Sequence, residues 1–250
     1  MKFKDKVAFV TGAASGIGRA TAVRLAAEGA QLYLVDIDEA GLATLSAEIA
    51  GQGGEVAAQR LDVADAGACR EAIDAVVARF GRLDVLCNIA GIAAANHLSD
   101  VTDEQWQRMV NINLGGVFYL CQAAMPHLEK SSGNIVNMAS SAGLVGQAYN
   151  VAYCATKGGV VMMTKAMAME FASKGVRVNA ICPGGIKTPL VSSFSIPEGA
   201  DMNLFMRMVP LTGSMAEPET VADVVAFLAA DSSSYITGVA LPVDGGQVVG

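Results

Sequence analysis

The stretch VAFVTGAASGIG, residues 7–18, decides the fold that this sequence predicts. Its first part, Val7–Thr11, is a short apolar run without polar alternation, which is typical of a strand buried on both faces. Glycines follow at positions 12, 16 and 18, and small and apolar residues then recur at helical spacing. A glycine-rich turn between a strand and a helix lets the backbone approach a pyrophosphate at the helix N-terminus. The stretch therefore predicts the first strand–turn–helix unit of a dinucleotide-binding fold.

Predicted strands and helices alternate along the rest of the chain. Six further apolar segments predict strands: Gln31–Val35, Val56–Leu61, Val85–Ala90, Ile135–Met138, Val176–Cys182 and Val239–Val243. Helical patterns between them include Asp38–Ala50, Asp65–Phe80, Asn111–Leu128, Tyr149–Ala172 and Glu219–Ala230. This alternation is typical of βαβ units in a parallel sheet that is covered on both faces. Since no linker divides the sequence, residues 1–250 are expected to form one α/β domain, a doubly wound seven-stranded parallel sheet of the Rossmann type.

The composition excludes several classes of function. Hydrophobic residues make up 52% of the 250 residues, charged residues 16%, and the formal net charge is −7. An acidic protein of this kind is not expected to bind nucleic acid or an anionic membrane through a basic surface. The two histidines, His97 and His127, lie far apart without a cysteine or carboxylate cluster, so no metal site is predicted. Five scattered cysteines indicate reduced thiols. No uninterrupted apolar stretch approaches the roughly 18 residues that a membrane-spanning helix needs, so we expect a soluble, cytoplasmic protein.

Two acidic residues follow the second and third predicted strands. Asp36 and Asp62 both stand at carboxyl ends of strands, where ligands bind in sheets of this class. A carboxylate at Asp36 would accept hydrogen bonds from an adenosine ribose and would repel a 2′-phosphate. No lysine or arginine lies beside Asp36 or in Ala13-Ala14-Ser15 to neutralise such a phosphate. The sequence therefore predicts NAD rather than NADP.

A second candidate site lies in GNIVNMASSAGLVGQAYNVAYCATK, residues 133–157. A predicted strand ends just before Ser140 and Ser141, and a predicted helix carries Tyr153 and Lys157. Residues i and i+4 share a helix face, so the phenol and the ammonium are expected to project together. A nearby cation lowers the pKa of a phenol by roughly 1–3 units, which would make Tyr153 a usable proton donor or acceptor. With a hydroxyl such as that of Ser140 to hold the substrate oxygen, the stretch predicts proton transfer to and from an alcohol or carbonyl group.

Together these motifs resemble the short-chain dehydrogenase/reductase family, in its single-domain branch, from end to end of the chain. The family's T-G-x-x-x-G-x-G is Thr11–Gly18, and its N-N-A-G stands as Asn88-Ile89-Ala90-Gly91, with isoleucine in the second position. Its nicotinamide-side loop P-G-x-x-x-T is Pro183–Thr188. The resemblance implies that NAD is bound by Gly12, Ser15, Gly16, Ile17, Gly18, Asp36, Asp62, Val63, Asn88, Ala90, Gly91, Tyr153, Lys157, Pro183, Gly184, Ile186 and Thr188.

The resemblance also implies four catalytic residues. The family's serine precedes its tyrosine by 13 residues, which selects Ser140 over Ser141 as the partner of Tyr153. Tyr153 would accept the proton of an alcohol, and Lys157 would stabilise the phenolate and bind the nicotinamide ribose. Ser140 would hold the substrate oxygen, and Asn113 would keep a water in place for a proton relay.

Three alternatives are open at this point. A 3-oxoacyl-carrier-protein reductase shares the layout, although such reductases usually prefer NADP and carry a basic residue where Ser15 stands. A catalytically silent NAD-binding regulator would keep the glycines but has little reason to keep all four catalytic residues. An epimerase or dehydratase of the family's longer branch would have another glycine spacing and a larger C-terminal region.

Two helices are expected to bury more than one face. Small and apolar residues cover much of the circumference of the helices near Asn111–Leu128 and Tyr149–Ala172: Ala123, Ala124, Met125, Val160, Met163, Ala166 and Met167. A helix that is apolar beyond one stripe needs a second partner surface. With the resemblance, this predicts a homotetramer.

The segment from about residue 190 to 211 is expected to be a mobile lid over an apolar substrate. It belongs to a long irregular stretch, Pro183 to about Pro218, and long irregular stretches in compact domains are usually functional or disordered. Its apolar residues are Phe194, Ile196, Met202, Leu204, Phe205, Met206 and Met208. These residues favour a cyclic or acyl-chain secondary alcohol over a free sugar.

Overall fold

The computed structural model describes residues 1–192 and 194–249. In this part of the chain the strands form one parallel sheet in the order β3-β2-β1-β4-β5-β6-β7. The strands are Val7–Thr11 (β1), Gln31–Asp36 (β2), Val56–Arg60 (β3), Val85–Asn88 (β4), Asn134–Met138 (β5), Arg177–Pro183 (β6) and Ala240–Val243 (β7). The strand order reverses between β1 and β4, which creates a crevice at their carboxyl ends. The predicted fold class is confirmed.

Helices cover both faces of the sheet. They are Gly16–Ala27 (α1), Glu39–Gly51 (α2), Ala66–Phe80 (α3), Asp103–Val110 (α4), Gly116–Ser131 (α5), Val151–Phe171 (α6), Pro189–Ser192 (α7), Met202–Met206 (α8) and Pro218–Ala229 (α9). Side chains of α1, α2 and α9 pack with one face of the sheet in one hydrophobic cluster. Side chains of α3, α5 and α6 form the cluster on the other face. Strands with both faces covered are the reason for the continuous apolar runs in the sequence.

Short polar side chains determine where several helices begin. Asp65 accepts hydrogen bonds from the amides of Gly67 and Ala68 at the start of α3, at 2.8 and 3.0 Å. Thr102 and Gln105 form a reciprocal capping box at the start of α4. Such caps satisfy amides that have no partner within the helix.

The end of β4 differs from its predicted position. The strand stops at Asn88, because the amides of Ile89 and Ala90 leave the ladder and donate to Thr11 Oγ1 at 2.8 and 2.9 Å. These two bonds tie the end of β4 to the end of β1, the two strands that border the crevice.

Two helical segments also differ from prediction. The helix predicted from Asn111 begins with a π-helical turn, Asn111–Gly115, before α5. The helix predicted from Tyr149 begins at Val151, because the φ angle of Tyr149 is +64°, outside the helical region.

The segment predicted to be irregular from Pro183 to Pro218 contains the short helices α7 and α8. Asp201 caps α8 by accepting a hydrogen bond from the amide of Asn203 at 2.8 Å. Phe194, Ile196, Met202, Leu204 and Met206 are partly or largely exposed, and Phe205 is buried. Ser193 lies outside the described residues.

The apolar residues that predict a second buried face on α5 and α6 are mostly covered within the chain. Ala124, Met125 and Val160 belong to the core, and Ala123, Met163 and Met167 pack against it. Ala166 is exposed, and the large apolar side chains that these helices expose are others: Phe118, Val151, Met162 and Met169. In the described residues no helix is long and apolar enough to cross a membrane.

Gly18 is predicted to be essential for packing α1 on β1. A Cβ at this position would overlap the carbonyl oxygen of Gly12 and lie 2.6 Å from its carbonyl carbon. Gly18→Ala should therefore lower the free energy of unfolding by about 1–3 kcal/mol or more. The midpoint of urea unfolding should fall accordingly. Gly51→Ala is the matched control, since a Cβ there meets no atom within 4 Å. Equal unfolding midpoints for the two variants would contradict this account of the turn.

Candidate active site

A cleft of about 670 Å³ lies at the carboxyl ends of the strands, where the strand order reverses. A cavity of about 100 Å³ adjoins it and shares Ile17, Gly91 and Thr188 with the cleft. The predicted site residues that line the cleft are Gly12, Ser15, Gly16, Ile17, Gly18, Asp36, Asp62, Val63, Ala90, Gly91 and Thr188. Those that line the small cavity include Ser140, Tyr153, Lys157, Pro183, Gly184 and Ile186. The fold thus brings together residues from nearly the whole chain.

The glycine turn brings the backbone close to the neighbouring strand end. Gly12 has a φ angle of +66°, and a Cβ there would lie 3.0 Å from the backbone of Ala90. Gly16 has a φ angle of +51° and faces the side chain of Thr188. A side chain at Gly12 would press on the Ala90 backbone and one at Gly16 on Thr188, so the two glycines let the turn lie close to both segments that border the cleft.

Asp36 is held in a fixed orientation at one end of the cleft. Its two carboxylate oxygens accept hydrogen bonds from the amides of Ala14 and Asp38, each at 3.0 Å. Each oxygen keeps a further lone pair. Asp36 can therefore accept hydrogen bonds from a pair of ligand hydroxyls.

Arg60 is a neighbour of Asp36 that sequence spacing does not reveal. It is the register partner of Asp36 across β2 and β3. Its guanidinium is exposed, lies 3.8 Å from a carboxylate oxygen of Glu39, and is not among the groups lining the cleft.

Asn88 does not line the cleft, although the resemblance implies cofactor contact for it. Its amide donates to Asn137 Oδ1 at 2.9 Å and approaches the sulfur of Cys121 at 3.3 Å. Asn137 in turn donates to Thr164 Oγ1 at 2.9 Å. These buried bonds join β4, β5 and α6, so the side chain of Asn88 stabilises the elements beneath the cleft.

Tyr153 and Ser140 meet in the small cavity. Burial raises the pKa of Tyr153 above its ordinary value, and a hydrogen bond with Ser140 opposes that rise. The expected net lowering of the pKa of Tyr153 is not found, because burial outweighs the effects that lower it. Lys157 Nζ lies 5.7 Å from the centre of the phenol ring, and the loss of hydration is the dominant effect on the pKa of Tyr153. Tyr153 is therefore a protonated phenol at neutral pH.

Lys157 is buried and faces the main chain. Its Nζ donates to the carbonyl oxygen of Met138 at 2.8 Å, and 4% of the residue is exposed. Burial lowers the pKa of Lys157 to about 8. The ammonium therefore loses its proton more readily than an exposed lysine does.

Asn113 lies behind the cleft wall, in the π-helical turn. Its amide donates to the carbonyl oxygen of Ile92 at 2.8 Å, and its Oδ1 accepts from the amide of Ile92 at 2.8 Å. A Cβ at Gly91 would lie 3.0 Å from Asn113 Oδ1 and 3.5 Å from Lys157 Nζ. Asn113 thus fixes the main chain that separates it from Lys157. The π turn is a departure from helical spacing that the sequence pattern does not show.

Ser141 has a different role from Ser140. It accepts a hydrogen bond from Gln147 Nε2 at 3.1 Å and donates to Gln247 Oε1 at 3.2 Å. Ser141 therefore connects the loop before α6 to the C-terminal segment, while Ser140 faces Tyr153. Sequence reasoning also missed Thr11 as the residue that joins β1 and β4, and Ile92 as a shared wall residue of both cavities.

Comparisons with known proteins agree with this geometry. A family model described as Enoyl-(Acyl carrier protein) reductase matches residues 12–247. The 3-oxoacyl-(acyl-carrier-protein) reductase FabG of Thermotoga maritima is 42% identical over 250 residues, which cover 100% of both chains. Cyclohexanol dehydrogenase of an Acinetobacter species is 41% identical over 98% of this chain and 95% of its own.

The fold is also shared with a solved enzyme. The 3-ketoacyl-(acyl-carrier-protein) reductase of Brucella melitensis, complexed with NADH, superposes with a TM-score of 0.89 at 35% identity. The match covers 98% of this chain and 99% of that one. The chain belongs to the short-chain dehydrogenase/reductase family. It is an oxidoreductase that acts on CH–OH groups by hydride transfer between alcohol and ketone.

Proposed function

We propose that the protein is an NAD-dependent dehydrogenase of a largely apolar secondary alcohol, cyclic or with an acyl chain. The observation that carries the proposal is the small cavity in which Tyr153 and Ser140 meet beside Lys157, at the end of a dinucleotide-sized cleft. The cleft is lined by Gly12, Gly16 and Gly18, and a backbone without side chains suits the pyrophosphate of a nicotinamide dinucleotide. When bound, that cofactor supplies the acceptor or donor of the hydride.

Tyr153 is assigned the proton transfer. In ketone reduction the protonated phenol donates to the developing alkoxide, and in alcohol oxidation the phenolate accepts the alcohol proton. Ser140 holds the substrate oxygen against the phenol. Lys157 stabilises the phenolate by its charge and orients the nicotinamide ribose. Asn113 fixes Ile92, so that a water beside Lys157 can relay protons to solvent.

The remaining proposed cofactor contacts follow from their places in the cleft. Ser15 and Ile17, which line the cleft with the glycines, would border the phosphates, and Asp62 and Val63 would border the adenine. Pro183, Gly184, Ile186 and Thr188, which line the small cavity, would border the nicotinamide. Ala90 and Gly91 also line the cleft and would contribute backbone groups.

An apolar substrate is supported by the walls around Tyr153. Ile92, Leu190 and Val191 line the small cavity, and the last two belong to α7. We define the lid as residues 190–211, excluding Ser193, and assign it the cover of the substrate. The cyclohexanol dehydrogenase relative supports a cyclic alcohol.

A 3-oxoacyl-(acyl-carrier-protein) reductase is the second candidate, because the Thermotoga maritima relative carries that name. The two functions differ in substrate size. Turnover of free cyclic alcohols with NAD at a rate far above that of a 3-oxoacyl thioester with NADPH favours the first. The reverse ranking favours the second.

Tyr153→Phe should lower turnover by about 10²–10⁴-fold, since it removes the proton donor and keeps the ring. NADH binding, measured by fluorescence titration, should be nearly unchanged. Because burial raises the pKa of Tyr153, kcat/KM for alcohol oxidation should rise with pH above neutrality, and that for ketone reduction should fall. A Tyr153→Phe variant that keeps wild-type turnover, or the wild-type pH profile, would refute the assignment.

Asp36 should determine the choice between NAD and NADP. We infer NAD preference because its oriented carboxylate accepts hydroxyls and repels a phosphate. Asp36→Ala should lower the ratio of kcat/KM with NAD to kcat/KM with NADP by about tenfold or more. A tenfold change corresponds to about 1.4 kcal/mol of discrimination between the cofactors.

Asp62→Asn is the control for this measurement, because it alters the adenine side and should affect both cofactors alike. Equal or better wild-type activity with NADPH would contradict the NAD assignment. In that case Arg60, the register partner of Asp36, becomes the residue to test.

We propose a homotetramer in the cytoplasm. The exposed apolar side chains of α5 and α6 support association: Phe118, Val151, Met162 and Met169. The described cysteines are free and four of the five are buried, which suits a reducing compartment. Light scattering at micromolar concentration should give four times the chain mass, and Met162→Glu with Met169→Glu should dissociate it. A monomer mass for the wild type would exclude the tetramer.

A further inference from the structure

Tyr149 connects the catalytic helix to the lid. Its hydroxyl oxygen accepts a hydrogen bond from the amide of Asp201 at 2.8 Å. Its ring stacks on Phe205 of α8, with ring centres 5.3 Å apart and an interplanar angle of 12°. Phe205 is buried, whereas other apolar lid residues such as Met202 and Met206 are exposed. A polar contact and an aromatic contact of the lid therefore meet at Tyr149.

His97 completes an aromatic cluster with Tyr149 and Phe205. The imidazole approaches the Tyr149 ring edge-on, at 5.1 Å between centres and an interplanar angle of 84°. Its Nε2 lies 2.8 Å from the carbonyl oxygen of Glu198. Since a carbonyl oxygen only accepts, Nε2 carries the proton and donates it. The lid is thus held by two side chains from two different loops that border the site.

The main chain of Tyr149 is held in an unfavourable conformation. Its φ angle is +64°, which is uncommon for a bulky residue. The carbonyl oxygen accepts a hydrogen bond from the amide of Asn96 at 2.9 Å. Such a conformation persists where surrounding contacts fix it, and it is frequent at functional sites. Here the contacts are those of the aromatic cluster.

The position of Tyr149 in the chain relates the cluster to the chemistry. Asn150, the next residue, is the N-cap of α6, and its carbonyl oxygen accepts from the amide of Cys154 at 2.7 Å. Tyr153 lies in the first turn of that helix. The Asn150 side chain also approaches the sulfur of Met208 in the lid at 3.8 Å. Lid and catalytic tyrosine are therefore fixed to the same few residues.

We propose that Tyr149 is a positioning residue that holds the lid closed over the substrate of Tyr153 and thereby limits which alcohols the site accepts. The proposal rests on the proposed dehydrogenase function for its kinetic part. It differs from the expectation of a lid that the substrate alone holds in place, because side chains of the chain itself attach the lid to the loops beside the site. Loosening the lid at residues 198–208 should weaken the binding of the alcohol and leave the cofactor cleft unchanged, because none of these residues lines the cleft.

Hydrogen exchange tests the attachment without any assay of activity. In Tyr149→Phe the amide of Asp201 loses its acceptor while the stack on Phe205 remains. Residues 198–208 should then exchange about threefold to tenfold faster than in the wild type. Tyr149→Ala removes ring and hydroxyl, so the same residues should exchange faster still. Tyr235→Ala is the matched control, because Tyr235 is fully exposed and should leave lid exchange at the wild-type rate.

Kinetics with a cyclic secondary alcohol tests the consequence. Tyr149→Ala should raise the KM for the alcohol by about tenfold, the equivalent of about 1.4 kcal/mol, with a smaller change in kcat. The Kd for NADH should stay at the wild-type value. The KM of Tyr149→Phe for the alcohol should lie between those of the wild type and Tyr149→Ala. Because the phenylalanine variant keeps the ring, an intermediate KM in this variant distinguishes a positioning role from a general loss of folding.

Three results would overturn the proposal. Unchanged exchange of residues 198–208 in both variants would mean that Tyr149 does not hold the lid. Faster exchange with an unaltered KM would mean that the cluster serves structure alone. A loss of NADH affinity equal to the loss of alcohol affinity would place the effect in the fold as a whole. If the wild type turns over no alcohol, the proposed function fails, and the exchange comparison alone decides whether Tyr149 holds the lid.

Discussion

The joint between β1 and β4 is the constraint on which the rest of the structure depends. The Thr11 hydroxyl accepts hydrogen bonds from the amides of Ile89 and Ala90, and β4 ends there. Gly12, the next residue after Thr11, packs closely against the Ala90 backbone. A larger residue than glycine would separate the two strand ends. The strand order reverses between β1 and β4, so this contact lies at the crevice where the two halves of the sheet meet. The cofactor cleft and the catalytic cavity are therefore consequences of one close approach between two strands.

Burial gives the catalytic cavity its proton chemistry. It raises the pKa of Tyr153 and lowers that of Lys157 to about 8 from an ordinary 10.5, so both groups are driven toward their neutral forms. Between these two values the unfolded chain binds more protons at Lys157 than the folded chain, so this contribution to stability rises with pH. At neutral pH the fold holds a buried cation at a cost in stability. In the proposed mechanism this cation stabilises the phenolate of Tyr153.

The sequence is sufficient to predict the sheet, the order of strands and helices, and the clustering of most site residues. These properties depend on hydrophobic period and on glycine positions, which are local. What it misses depends on contacts between distant segments. The end of β4 is determined by Thr11, and the helical asparagine at 113 lies in a π turn bonded to Ile92. Asn88 belongs to a motif of the family, but its side chain is buried beneath the cleft. There it donates a hydrogen bond to Asn137, since buried polar groups need partners.

The same distinction explains the lid. Its composition predicts a segment that covers something apolar, but composition cannot show that a tyrosine more than forty positions earlier holds it. Tyr149 accepts a backbone amide of the lid, and its own backbone is strained at the start of the helix that carries Tyr153. The helix that carries Tyr153 and the segment that contains Asp201 and Phe205 thus meet at Tyr149. In a family where one fold serves many alcohols, changes at such a junction can alter the substrate and leave the cofactor cleft intact.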